Sequence, residues 1–274
     1  MASTKEFKNR LKSITSIKKI TKAMKMVAAS KLRQAQRSCE GVRPFQSSLQ
    51  QLLPGSVSNF TGSKHLIIAI TTDRGLCGGV NSSVVKTTKK VLKELVANGS
   101  EVSIVCVGEK GRDALVRECG KSMVKIINDV TRKPVNFLAA SALSEEILSY
   151  PFDRCTIVYN EFKSVIAQVV TTGNIPSYDA YVADPAGWGE YEFDSDQASL
   201  LYNFFEFSMA TRILSALLEN ATSEQGARMS AMDSAARNAG DMINKLSLSY
   251  NKARQAAITS ELIDIISAAG AVSK

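Results

Sequence analysis

Residues 196–271 read DQASLLYNFFEFSMATRILSALLENATSEQGARMSAMDSAARNAGDMINKLSLSYNKARQAAITSELIDIISAAGA, a stretch without a single proline. Its apolar residues recur three and four apart, from Leu200, Leu201, Phe204 and Phe205 to Ile258, Leu262 and Ile265, the period of a helix face. Gly226 and Gly240 weaken this helix locally without ending it, and the acids Glu190, Glu192, Asp194 and Asp196 before it suit the positive end of a helix dipole. At a rise of about 1.5 Å per residue such a helix reaches roughly 110 Å. That is far beyond the usual three or four turns, and its apolar stripe needs a partner running alongside.

The first fifty or so residues supply the partner. Phe7, Leu11, Ile14, Ile17, Ile20, Met24, Val27, Ala28, Leu32 and Ala35 repeat the same spacing. Leu11, Ile14, Ile20 and Val27 are the expected seam residues on this helix, facing Met232, Ala239 and Leu246 on the C-terminal one. Small residues such as Ala231, Ala235 and Ala239 let the helices approach closely. Gly41 and Pro44 predict a break or kink, and Pro54-Gly55 a stop. The expected domains are residues 1–60 as one shaft helix, 61–190 as an α/β foot, and 191–274 as the pairing helix.

Between the helices the pattern changes. His65-Leu66-Ile67-Ile68-Ala69-Ile70-Thr71-Thr72 is a β-branched apolar run of strand length, of the sort buried on both faces. A glycine turn, Asp73 to Gly79, leads to a helix from Val80 to Ala97. A strand at Glu101–Val107, a helix near Lys110–Glu118, a strand at Met123–Ile127 and a helix from Asn136 to Ser149 follow. This alternation predicts a Rossmann-like α/β layer with parallel strands. Arg154–Asn160 and Val165–Thr172 read as a closing hairpin around residues 161–164, and residues 174–190 as a loop carrying Trp188, the only tryptophan.

The chain has 274 residues and a formal charge of +8. The charge is local: the first helix carries Lys5, Lys8, Arg10, Lys12, Lys18, Lys19, Lys22, Lys25, Lys31, Arg33 and Arg37 against Glu6 alone up to Arg37. Such a stripe seeks an acidic partner or is a solvated face. Five cysteines without CxxC spacing fit reduced thiols, and one histidine, His65, gives little material for a metal site or a relay. No apolar run reaches the length of a membrane span. Gly75-x-x-Gly78-Gly79 is not GxGxxG, and Gly120-Lys121-Ser122 lacks the first glycine of a P-loop, since position 115 is Leu115. No cofactor or metal is expected.

Four segments together resemble the gamma subunit of rotary ATP synthases. They are Leu11-Lys-Ser-Ile14 with Lys19 to Ala29; Asp73-Arg-Gly-Leu-Cys-Gly78; Ser223 to Asp233; and Asn251-Lys-Ala-Arg254-Gln255-Ala-Ala-Ile258-Thr-Ser-Glu261. The resemblance implies a non-catalytic central shaft, a left-handed antiparallel coiled coil inserted in a hexamer of alpha and beta subunits. The foot would sit against delta- and epsilon-type subunits and the membrane c-ring. It implies that Arg254 and Gln255 contact a loop of one beta subunit, that Lys86 and Lys89 face an acidic segment of beta, and that Met24 approaches beta. The ending Asp264-Ile-Ile-Ser267-Ala-Ala-Gly270 departs from the family pattern by a displaced glycine. The short start, Ala2-Ser-Thr-Lys-Glu, resembles a processed mitochondrial form, at the matrix side of the inner membrane; the alternative is the cytoplasmic side of a bacterial membrane. A nucleic-acid or membrane-surface helix is the competing binding reading, disfavoured by the missing interleaved aromatics. A small nucleotide enzyme is disfavoured by the missing motifs.

Overall fold

The computed structural model describes residues 4–51, 62–131, 134–182, 188–189 and 191–272, with side chains to residue 269. The elements are α1 (Thr4–Gln51), β1 (Lys64–Ile70), α2 (Val80–Ala97), β2 (Glu101–Val107), α3 (Glu109–Cys119), β3 (Met123–Ile127), α4 (Phe137–Leu148), β4 (Arg154–Phe162), β5 (Gln168–Pro176), α5 (Tyr178–Val182) and α6 (Gln197–Val272). The chain forms two compact units, Met1–Val27 with Ala231–Lys274, and Ala28–Ser230. The boundary therefore falls inside both long helices, so the second unit takes a segment of each, unlike the division expected from sequence.

The second unit is built on a five-stranded sheet ordered β3-β2-β1-β4-β5. β1 pairs parallel with β2 and β4, β2 parallel with β3, and β5 antiparallel with β4. One face, with Ile67, Ala69, Ile104, Cys106 and Val158, packs with Val84 and Val85 of α2 and Leu115 of α3. The other, with Leu66, Ile68, Ile70, Val105, Val107 and Ile157, packs with α4 and with Leu201, Phe205, Met209, Ile213 and Leu217 of α6. The segment of α6 from Ser208 to Leu218 is buried almost all round, except at Arg212, which is why its apolar residues cover more than one face.

Three expectations fail locally. Pro44 does not break α1, which runs unbroken to Gln51. Proline removes one backbone bond and crowds the preceding turn, but Cys39 and Leu49 are buried on either side and Arg43 is tied to α6. Tertiary contacts outweigh the local preference. Pro54-Gly55 lies outside the described residues. The hairpin turn sits later than residues 161–164, because β4 continues to a buried Phe162 opposite Gln168. The Phe162 amide donates to Glu219 at 2.8 Å and fixes that strand end. The loop after β5 contains the short α5, and Trp188 is buried, its Nε1 donating to the Tyr181 carbonyl at 3.0 Å and its ring against Tyr181, Tyr191, Phe193 and Phe204.

All five cysteines are free and buried. Burial pushes the Cys39 and Cys106 thiols up to about 12, so both stay protonated and unreactive near neutrality. His65 is buried at β1 with Nε2 2.8 Å from the Thr156 hydroxyl. Burial, then the Arg154 charge, lowers it to about 4, so it is neutral at pH 7.

Candidate functional site: a helix seated in the switch-point crevice

In an open α/β sheet the ligand crevice lies beyond the strand ends where chain order reverses. Here that place is beyond β1 and β4, since β2 and β3 lie on one side and β5 on the other. The crevice is filled by the chain's own α6. Asn220 Nδ2 donates to the Thr71 carbonyl at 3.1 Å, and its Oδ1 accepts from Asn160 Nδ2 at 2.9 Å. Ser223 Oγ donates to the Asn160 carbonyl at 3.2 Å. Cys77 and Val80, from the glycine turn and the start of α2, pack on Ala227. Gly226 has no side chain where a Cβ would lie 3.1 Å from the Phe162 ring. The glycine-rich turn thus receives a helix where a dinucleotide fold would hold phosphate.

Two ion pairs flank this seat. Arg43 Nε and Nη2 donate to the two oxygens of Glu219 at 2.5 and 2.9 Å, and Nη2 also donates to the Phe162 carbonyl at 2.7 Å. Burial pushes the Glu219 carboxyl up, but the Arg43 guanidinium and the Phe162 amide outweigh it and hold the carboxyl below its usual range. Arg228 donates to Glu224 at 2.6 Å and to the Gly75 carbonyl at 3.2 Å. There burial wins, and the Glu224 carboxyl lies above its usual range despite the guanidinium.

The first unit holds the paired ends of α1 and α6. Its α1 residues turned inward are Phe7, Leu11, Ile14, Thr21 and Met24 or Lys25; on α6 they are Met232, Ala236, Ala239, Ile243, Leu246, Tyr250 and Ala253. Lys25 pairs with Asp233 at 2.5 Å, and Lys18 Nζ lies 3.2 Å from where a Gly240 Cβ would be. One heptad back on α1 matches one heptad forward on α6. The helices are therefore antiparallel, and a seven-residue repeat sustained on both imposes a left-handed supercoil.

This phase corrects two seam assignments. Ile20 and Val27 are 58% and 57% exposed; the positions that turn inward are their neighbours Thr21, 8% exposed, and Ala28, 1% exposed in the second unit. Reading apolarity alone missed the phase, because at these two places the polar Thr21 and the small Ala28 turn inward while the larger Ile20 and Val27 lie outside. Leu11, Ile14 and Leu246 are half-buried; Met232 and Ala239 are buried. Ile20→Ser should leave the free chain's stability within about 0.5 kcal/mol, whereas Ala239→Leu should cost about 1–3 kcal/mol by overpacking. Urea melts followed by circular dichroism distinguish the two.

The remaining expected contact residues scatter. Arg254 and Gln255 are exposed on α6, and Met24 is half-buried on α1. Lys86 is exposed on α2 and makes no ion pair among the described residues, while Lys89 is paired with Glu118 of α3 at 2.6 Å. Lys89 is thus already engaged within its own lobe. Sequence reading missed Arg43, Asn160, Glu219 and Asn220. The available signal was the acid–amide pair Glu219-Asn220 directly after Leu217-Leu218, with no polar face there to receive it.

A pair of very long helices, one of them seated in the crevice of an α/β lobe, defines a scaffolding or shaft protein whose ligand cradle is taken by its own chain. The family description ATP synthase matches residues 3–272. The ATP synthase gamma chains of Rhodospirillum rubrum and Paracoccus denitrificans are 42% and 43% identical to the chain, each comparison covering 99% of this chain and 100% of the relative. The central stalk and c-ring structure of Tetrahymena thermophila mitochondrial ATP synthase aligns with a TM-score of 0.69 at 32% identity, covering 79% of this chain and 99% of the other. A chain of the Euglena gracilis mitochondrial enzyme has the same fold, with a TM-score of 0.84 at 22% identity over 98% and 94% of the two chains. The chain belongs to the ATP synthase gamma family, a non-catalytic subunit with a central-shaft role in a rotary complex.

Proposed function

We propose that this chain couples rotation of a membrane c-ring to the conformational cycle of the three catalytic beta subunits, in ATP synthesis and, in reverse, hydrolysis. The far end of α6 carries the argument. Ile258, Leu262, Ile263, Ile265 and Ile266 are 44–69% exposed on a stretch of helix that is exposed from Arg254 to Ala269. So much uncovered apolar surface marks a segment enclosed by other subunits, and an alpha–beta hexamer is the enclosure the family implies. Shaft work is conformational selection: a surface that binds one beta conformation better than another shifts its population, and turning the shaft moves that bias to the next site.

Arg254 and Gln255 supply the polar contact to beta, Met24 lies near it on the other helix, and Lys86 is the cation of the lobe that meets an acidic segment of beta. Lys89 joins that contact only by giving up Glu118. The foot engages the delta- and epsilon-type subunits and the c-ring. Among the described residues no helix is long and apolar enough to cross a membrane, so membrane association runs through those partners. The curated relatives are bacterial, which supports the inner face of a bacterial cell membrane over the mitochondrial placement; nucleic acid has no place in this reading.

The test is reconstitution with an alpha–beta hexamer from a matching source. One copy should bind per hexamer and raise ATP turnover, and Arg254→Ala should lower that rise by about tenfold, the effect of losing one charge-assisted contact. A hexamer that neither binds the chain nor changes its turnover would remove the reading.

A further inference from the structure

The segment of α6 that fills the crevice is smooth. Ala221, Thr222, Ser223, Gly226 and Ala227 present few knobs to the socket, and the burial of apolar surface is non-directional. A smooth rod in a close socket is held against withdrawal far better than against turning. Directional bonds resist turning: Ser223 and Arg228 reach the Asn160 and Gly75 carbonyls farther along the helix, and two sets act at the level of residues 219 and 220. Asn220 spans from Asn160 on β4 to the Thr71 carbonyl after β1. Glu219, the preceding residue, is gripped by Arg43 of α1 and by the Phe162 amide at the end of β4. Neighbouring residues lie about 100° apart around a helix, so the two grips hold the rod from different sides.

We propose that Asn220, held by Asn160 and Thr71 and backed by the Arg43–Glu219 pair, is the key that transmits torque between the α/β lobe and the shaft helix. Asn220 and Asn160 are positioning residues that act through the helix they hold. The inference rests on the shaft reading and adds where the load crosses from sheet to helix. All the key's partners are backbone or amide groups inside the lobe, so its grip is shielded from salt, unlike a surface ion pair. Asn220 and Asn160 are buried, at 0% and 1% exposure.

The test uses the holoenzyme in sealed vesicles, comparing ATP turnover without a gradient with dye-reported proton pumping against a rising one. Asn220→Ala should keep unloaded turnover near the parent value. Its loaded pumping should fall about tenfold, the factor that losing one buried hydrogen bond implies for a slip equilibrium. Asn160→Ala, which attacks the same contact from the sheet, should reproduce the split. Ala227→Cys, added to Asn220→Ala and oxidised with diamide to the native Cys77 beside it, should restore loaded pumping by joining helix and turn covalently. Thiol reduction should then abolish the rescue. Loaded and unloaded rates falling together, neither changing, a disulfide that forms without rescue, or both alanine variants failing to assemble would each overturn the proposal. A parent chain that does not stimulate the hexamer would instead refute the shaft reading itself.

Discussion

Arg43→Ala should lower the unfolding free energy of the lobe by about 2–3 kcal/mol, less than the roughly 3–5 kcal/mol for breaking a fully buried ion pair, because water reaches part of the guanidinium. Glu219 is 4% exposed, and without Arg43 its carboxylate keeps only the Phe162 amide and the Cys39 thiol. The cost is therefore that of a stranded buried charge rather than of one lost contact. Urea denaturation followed by the fluorescence of Trp188, buried in the same unit, reads it directly. The pH dependence carries the sign. In the parent the Glu219 carboxyl is held below its unfolded value, so its contribution is complete above the unfolded carboxylate range and is lost as pH falls through the folded value. In the variant burial raises the carboxyl above its unfolded value, and the penalty disappears as acid protonates it. The gap between parent and variant should be widest near neutrality and should close toward about pH 4. A gap that stays constant with pH would show that lost packing of the Arg43 stem, not the charge, sets the cost.

Gly108→Ala should cost the lobe about 3–5 kcal/mol, from strained backbone and overpacking together. Gly108 stands between β2 and α3 at φ +100°, in a region side chains avoid. An added Cβ would lie 2.7 Å from Thr71 Oγ1 and 2.8 Å from the Thr71 carbonyl carbon. Thr71 cannot step aside, because its hydroxyl donates to the Val107 carbonyl at 2.7 Å and accepts the Gly111 amide at 3.0 Å. Thr71 also supplies the carbonyl that Asn220 grips, so the damage should reach the seat of α6. Gly41→Ala is the matched control. It lies in α1 with nothing within 4 Å of the added methyl, and it should stabilise by about 0.5–1 kcal/mol through helix propensity. Equal effects at the two positions would mean that the turn relaxes around the methyl.

Much of the lobe was legible because each strand announces itself over a short window. The β2 and β3 runs match their observed bounds, β1 ends at Ile70 rather than Thr72, and the apolar continuity of β1 required cover on both faces. The limits of local reading show at Pro44, where the rule for an isolated helix lost to contacts made by Cys39, Arg43 and Leu49. They show again at Ile20 and Val27. Helical spacing is satisfied equally well by two adjacent stripes, and only the partner helix selects between them. Of the contact residues expected from the family, Arg254, Gln255 and Lys86 are exposed and available, whereas Lys89 is spoken for by a glutamate 29 positions away.

The sequence alone determined that two helices too long for any small core must run together, that an α/β layer lies between them, and that the chain lacks the phosphate-binding motifs of a nucleotide enzyme. These follow from period, length and composition, which act along the chain. Tertiary structure decided which stripe of α1 forms the seam, that the long helix occupies the sheet's ligand crevice, and that Asn160 and Asn220 meet there across 60 residues of chain. A buried polar group has no periodic signature. Its meaning is set by the partner that satisfies it, and folding alone brings that partner within reach.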